Sequence, residues 1–226
     1  FTMNKCGSAD VYCPLGSVRP TPVPEGYYSV NVDSSPDDQS MRVSQKICEA
    51  GNFCVGGIMN VCPKGHYCNA SGMTKPLKCG HSGVFCAEGS IEPQQVLKGY
   101  YTVGGTSNER EEQVIAPKGY YATEGILKEC PAGHFGNTTG LFNDDCSGSC
   151  HQGWFCPSAS ISPKVRYSIL FHLSSFFLHV KILILSFSFQ QIACGGENYI
   201  CPEGSAFPHK VKSGYYTTIF NVEPCR

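Results

Sequence analysis

A chain of 226 residues with 15 cysteines, 25 glycines and 15 prolines lacks the apolar runs that build one large core, so several small units are expected. A formal charge of −1 supplies neither a basic footprint nor an acidic tail, which leaves nucleic-acid binding without support. The cysteines are expected as disulfides, each removing loop entropy from the unfolded chain and standing in for the missing core.

Residues 1–47 read as the end of one cysteine-rich unit followed by a linker. Cys6 and Cys13 are followed by Gly16, Ser17, Pro20, Val23 and Gly26-Tyr27-Tyr28. The same offsets return at Cys79 and Cys86 with Gly89, Ser90, Pro93, Val96 and Gly99-Tyr100-Tyr101. They return again at Cys194 and Cys201 with Gly204, Ser205, Pro208, Val211 and Gly214-Tyr215-Tyr216. Three copies of one phrase make the chain a repeat array. The first residues hold no apolar run and lead straight into a repeat, so a fragment of a longer protein is expected.

Residues 48–103 form a cysteine-rich unit with Cys48, Cys54, Cys62, Cys68, Cys79 and Cys86. Within it, Cys62-Pro63-Lys64-Gly65-His66-Tyr67 precedes the N-glycosylation sequon at Asn69. A Pro-x-Gly turn fixes the backbone where a bridge enters, because Pro presets φ and Gly admits positive φ. The aromatic two residues after the glycine is then free to lie over the disulfide. Residues 104–129 contain no cysteine and carry the charged stretch Asn108–Glu112 and a second Gly119-Tyr120-Tyr121, which reads as an exposed linker between Tyr-bearing strands.

Residues 130–218 form the next cysteine-rich unit with Cys130, Cys146, Cys150, Cys156, Cys194 and Cys201. Its opening, Cys130-Pro131-Ala132-Gly133-His134-Phe135, repeats the Cys62 phrase and places a second sequon at Asn137. Cys150 to Cys156 repeats the Cys-x2-Gly-x-Phe-Cys frame of Cys48 to Cys54. Every complete group holds an even number of cysteines, so bridges are expected within groups. Six cysteines allow 15 connectivities, and these stay open. Cys225 follows Tyr216 as Cys130 follows Tyr121, so residues 219–226 read as the start of a further unit in which Cys225 is unpaired. The expected fold is small, disulfide-rich and β-poor to all-β: an elongated tandem array of short hairpins with little helix.

Residues 164–190 break the pattern, having no Gly, Pro, Cys, Asp or Glu. Ser168 to Phe189 is long and apolar enough to cross a bilayer. Against a span stand His172, His179 and above all Lys181, since a mid-span lysine costs about 2.5–3.5 kcal/mol. A single crossing would also move Cys194 and Cys201 to the reducing side, away from the repeats they match. The interval from Cys156 to Cys194 exceeds that from Cys68 to Cys79 by 27 residues, the length of the segment. A retained intron is therefore the expectation, with a transmembrane helix and a buried helix as alternatives. Lys164-Val165-Arg166 and Phe189-Gln190-Gln191 permit splice-site codons.

The phrases Cys130-Pro-Ala-Gly-His-Phe and Cys146-Ser-Gly-Ser-Cys150-His-Gln-Gly-Trp-Phe-Cys156-Pro resemble the ephrin-receptor-like and growth-factor-receptor cysteine-rich repeats. The resemblance covers nearly the whole chain apart from 164–190 and implies extended extracellular arrays of small disulfide units in receptors and large surface proteins. Gly136 stands where the Cys62 phrase has Cys68, and Arg226 stands where proline would follow Cys225.

Competing functions find little in the residues. His66, His81, His134 and His151 lie near cysteines, but no Cys-x2-Cys pair exists for zinc, and no metal or cofactor is expected. There is no nucleophile elbow, phosphate loop or His-Glu-x-x-His, so neither an enzyme nor a small-molecule substrate is expected. The Gly-Tyr-Tyr pairs read first as packing, one ring on a disulfide and the other over the neighbouring unit. What remains is an extracellular or cell-surface spacer, glycosylated at Asn69 and Asn137. Its expected partners are neighbouring repeats of the parent chain and a surface protein or glycan. A membrane-anchored receptor ectodomain is the alternative, and a zinc-binding Cys/His module is a third reading.

Overall fold

The computed structural model describes residues 4–31, 41–162, 192–195, 198–217 and 222–224. Segment 164–190 and Cys225 lie outside the described residues. Among the described residues there is no helix, and twenty short strands pair into ten two-stranded sheets. This is the disulfide-rich hairpin repeat expected from the sequence.

In chain order, the first sheets join Val11–Tyr12 to Thr21–Pro22, Tyr27–Asn31 to Arg42–Ile47, and Asn52–Val55 to Ile58–Val61. Next come His66–Tyr67 with Leu77–Lys78, Val84–Phe85 with Gln94–Gln95, and Tyr100–Val103 with Glu112–Ile115. Tyr120–Thr123 then pairs with Ile126–Glu129, and Trp154–Phe155 with Ile192–Ala193. The last two sheets join Tyr199–Ile200 to His209–Lys210 and Tyr215–Thr217 to Val222–Pro224. A single antiparallel bridge, His134 to Ser149, closes one further turn. The residues divide into two compact units, 1–96 with 102–114 and 97–101 with 115–226.

Each hairpin starts from the same local chemistry. The Pro-x-Gly phrases close four-residue turns, with Tyr27 N–H donating to the Pro24 carbonyl (3.2 Å) and His66 N–H to that of Pro63 (3.1 Å). The third turn residue needs φ near +80°, and Gly26 (+79°) and Gly65 (+76°) supply it without Cβ strain. Space imposes glycine as well: a Cβ on Gly26 would run into the Gly72 carbonyl, and one on Gly133 into that of Gly204. In both cases the obstructing carbonyl belongs to the hairpin two steps along the chain.

In eight hairpins the interior lies at the third residue counted from the start of the first strand, whether or not the pairing extends that far, while Cys13 and Thr217 at the same position are half-buried. Cys54, Cys68, Cys86, Cys156 and Cys201 occupy it in five hairpins, and Ser29, Thr102 and Ala122 in three others, and all eight are buried. The Gly-Tyr-Tyr phrases and the Gly-x-Phe-Cys phrases are therefore one element with two fillings. Residues 104–129, expected as a linker, carry the second strand of the Tyr100 hairpin and the whole Tyr120 hairpin. Loss of cysteine there does not interrupt the repeat, because what continues it is backbone.

Four main-chain hydrogen bonds join one hairpin to the next. In the first unit Cys62 N–H reaches the Gly51 carbonyl (2.9 Å), Gly51 N–H that of Cys68 (2.8 Å), Cys54 N–H that of Met73 (2.8 Å) and Gly72 N–H that of Cys48 (2.7 Å). In the second unit the same four recur as Cys150 to Gly133 (2.8 Å), Gly133 to Cys156 (2.8 Å), Gly136 to Ser160 (2.7 Å) and Ala159 to Cys130 (2.9 Å). Such pairing satisfies buried backbone groups and gives each hairpin contacts mainly with its neighbours.

Candidate glycan-bearing turns and exposed edge

Seven disulfides close the described cysteines in sequence order: Cys6–Cys13, Cys48–Cys54, Cys62–Cys68, Cys79–Cys86, Cys130–Cys146, Cys150–Cys156 and Cys194–Cys201. Six of them span six or seven residues, the distance from the residue before a turn to the third residue of the strand after it. Cys130–Cys146 spans 16, because Gly136 occupies the third position of its strand. A Cβ at Gly136 would sit 2.8 Å from the Cys130 Sγ, so that sulfur fills the space left by the missing side chain. Aromatic rings complete the small interior one step back: Tyr67 packs against Cys79, Val84 and Cys86, and Phe135 against Cys150 and Cys156. Each ring thus covers the disulfide of the following hairpin.

The two sequons occupy one register position. Asn69 follows Cys68 and Asn137 follows Gly136, both directly after the buried third residue, and both asparagines are exposed. The turns around them are held by backbone anchors: Gly72 N–H on the Cys48 carbonyl (2.7 Å) and Gly140 N–H on the Ala116 carbonyl (2.8 Å). Asn137 N–H donates to Ser147 Oγ (3.0 Å). Ser71, Thr138 and Thr139 are exposed too, so the residues a glycosylating enzyme must engage face solvent.

A charged cluster lies where the sequence suggested only a solvated stretch. Glu109 accepts from Lys78 Nζ at 2.9 Å and from Thr106 Oγ1 at 3.0 Å, with His66 Nε2 at 3.8 Å. The Lys78 hydrogen bond, then that from Thr106, holds the Glu109 carboxyl below its usual pKa. Lys78 and His66 belong to a hairpin two steps before Glu109, which is why spacing along the chain gave no sign of the pairing. His134, the counterpart of His66, has a buried Nδ1 without a partner, while His81 Nδ1 accepts from Gly83 N–H (3.0 Å). His151 stands edge-on to Phe135 with ring centroids 6.3 Å apart. Among the described residues no three His, Cys, Asp or Glu side chains converge on a point, and the described cysteine sulfurs are spent in bridges.

The Asn52 hairpin presents an apolar edge, with Val55, Ile58, Met59 and Val61 each about half exposed. Among the described residues no helix is long and apolar enough to cross a membrane. Compared with known families, the chain matches no family model, and no curated protein matches it.

Proposed function

We propose that this chain is part of an extracellular, disulfide-stabilised repeat array, a structural and adhesive spacer within a larger cell-surface or secreted protein, glycosylated at Asn69 and Asn137. The observation that carries the reading is the make-up of the interior, where the largest fully buried side chains are cystine halves, Ser29 and Ser160. Hairpins held this way persist only where thiols stay oxidised, which favours a secreted or surface location. The ephrin-receptor-like resemblance agrees with that location, and recognition of a surface protein or glycan belongs to the same role.

The pairing of Trp154–Phe155 with Ile192–Ala193 supports placing both ends of segment 164–190 on one side of any membrane. Cys194 N–H also donates to the Gly153 carbonyl (3.1 Å), in the register of the other hairpins. A single crossing would separate those partners.

Secretion of the chain from a eukaryotic cell, followed by thiol alkylation and glycosidase digestion, tests the reading. The expected result is protection of all the cysteines except Cys225, with one glycan lost in each of Asn69→Gln and Asn137→Gln. Reactive Cys194 and Cys201 would favour a membrane span instead, and reactivity that depends on a chelator would favour zinc.

A further inference from the structure

Six turn glycines are each covered by a main-chain carbonyl from two hairpins further along: Gly26 by Gly72, Gly51 by Gly89, Gly65 by Glu109, Gly99 by Gly140, Gly119 by Ala159 and Gly133 by Gly204. The residue after each glycine stands opposite the last residue of the second strand, and this pair meets the arriving turn. His66 and Lys78 meet Glu109 in this way, and Cβ atoms at Gly89 and Gly204 would lie 3.6 Å from Val61 and 4.0 Å from Ser149.

Two of the six pairs join a tyrosine to an isoleucine. Tyr27 stands opposite Ile47. Ala116 N–H on the Gly99 carbonyl (2.9 Å) sets Ile115 beside Tyr100, as Cys48 N–H on the Gly26 carbonyl (2.9 Å) sets Ile47 beside Tyr27. These two pairs, and no others of the six, receive a turn that carries a sequon: residues 69–72 arrive on the first and residues 137–140 on the second. The other pairs, Asn52 with Val61, His66 with Lys78, Tyr120 with Glu129 and His134 with Ser149, receive turns without one. Each sequon turn is pinned next to its isoleucine, by Gly72 N–H on the Cys48 carbonyl (2.7 Å) and Gly140 N–H on the Ala116 carbonyl (2.8 Å). A Cβ on Gly72 would lie 3.5 Å from Ile47 Cδ1, and one on Gly140 3.3 Å from Ile115 Cδ1. Ile47 and Ile115 are nonetheless 44% and 41% exposed, and both tyrosines are half-buried.

We infer that each Tyr-Ile pair is the seat of the glycan on the turn above it: the first N-acetylglucosamine on Asn69 lies against Tyr27 and Ile47, and that on Asn137 against Tyr100 and Ile115. The inference rests on the proposal that both asparagines are glycosylated. Each asparagine stands three residues before the pinned glycine, at most about 11 Å along the chain, and its side chain with one sugar spans most of that distance. The pyranose offers a face of C–H bonds to the isoleucine methyls and to the ring of a tyrosine, whose other end stays wet. The sugar thereby removes apolar surface from water and ties a hairpin to the second one after it.

The test is made on the secreted full chain, its glycans trimmed enzymatically to the single N-acetylglucosamine, beside the Asn137→Gln chain. Nuclear Overhauser contacts from the Asn137 sugar to Tyr100 and Ile115 protons are expected. Amide exchange at Ala116 and Gly140 should be at least about threefold slower than in Asn137→Gln. Ile115→Thr keeps the β-branch and should abolish that slowing while the sugar stays attached. A sugar without contact to Tyr100 or Ile115, exchange no slower than in Asn137→Gln, or a slowing that Ile115→Thr leaves unchanged would overturn the inference. A secreted, fully bridged chain with no sugar on either asparagine would remove the glycosylation reading and the inference with it, whereas an attached sugar free in solvent defeats the inference alone.

Discussion

One residue per hairpin, the third of the first strand, decides how that hairpin is closed. Where it is cysteine, the residue six or seven places earlier is its partner; where it is Ser29, Thr102 or Ala122, the residue six places earlier is Val23, Val96 or Ala116. Gly136 breaks this pairing on one side only and sends Cys130 to Cys146. Gly136→Cys is therefore expected to restore the short bridge and release Cys146 as a free thiol, readable by alkylation and peptide mapping. Retention of Cys130–Cys146 beside a reactive thiol at position 136 would show that the register does not choose the pair.

Two further residues carry costs that substitution should expose. Ala159 stands at φ +59°, where the matching turns have Gly16, Gly89 and Gly204. Ala159→Gly should raise stability by about 0.5–1 kcal/mol in denaturant titration, the strain relieved exceeding the extra chain entropy. Glu109 has its folded pKa held below the ordinary 4.5, so its contribution is complete above that value and is lost as pH falls through the lowered pKa. The stability gap between the native chain and Glu109→Gln should be present at neutral pH and shrink below pH 4.5. A gap that persists unchanged in acid would place the effect elsewhere.

Among elements, the hairpin is the repeating object, and the sequence disguised it. The Cys phrases and the Tyr phrases look unrelated because the buried position takes a sulfur in one and a hydroxyl or methyl in the other. The bonds that make them equivalent run between main-chain groups and leave no side-chain mark. Helix-free class, turn positions and repeat offsets were legible because glycine at positive φ and paired cysteines must be written in residues. The tie between Glu109 and Lys78 was not, since it joins hairpins two steps apart. The Gly119-Tyr120-Tyr121 phrase, together with Ala116 and Ala122 at the cysteine offset, was the available sign that 104–129 belongs to the repeat. If bridged and unbridged hairpins are equivalent, Cys48→Val combined with Cys54→Thr, six residues apart, should imitate Val96 and Thr102. Hydrogen exchange should then show about 2–3 kcal/mol lost in that hairpin and its immediate neighbours, with distant hairpins unchanged.

For the whole molecule, segment 164–190 interrupts the sequence between two strands that already pair, Trp154–Phe155 and Ile192–Ala193. Deleting 164–190 should leave the Cys150–Cys156 and Cys194–Cys201 bridges and the exchange protection around them intact. Scrambling of those bridges would show that the segment is part of the fold. The central claim is that sulfur crosslinks within successive hairpins, in place of a shared apolar interior, hold the chain in shape. Complete reduction in metal-free buffer, followed by amide hydrogen exchange, tests it most directly. Loss of protection throughout both units is the predicted result, and an exchange pattern indistinguishable from that of the oxidised chain would contradict it.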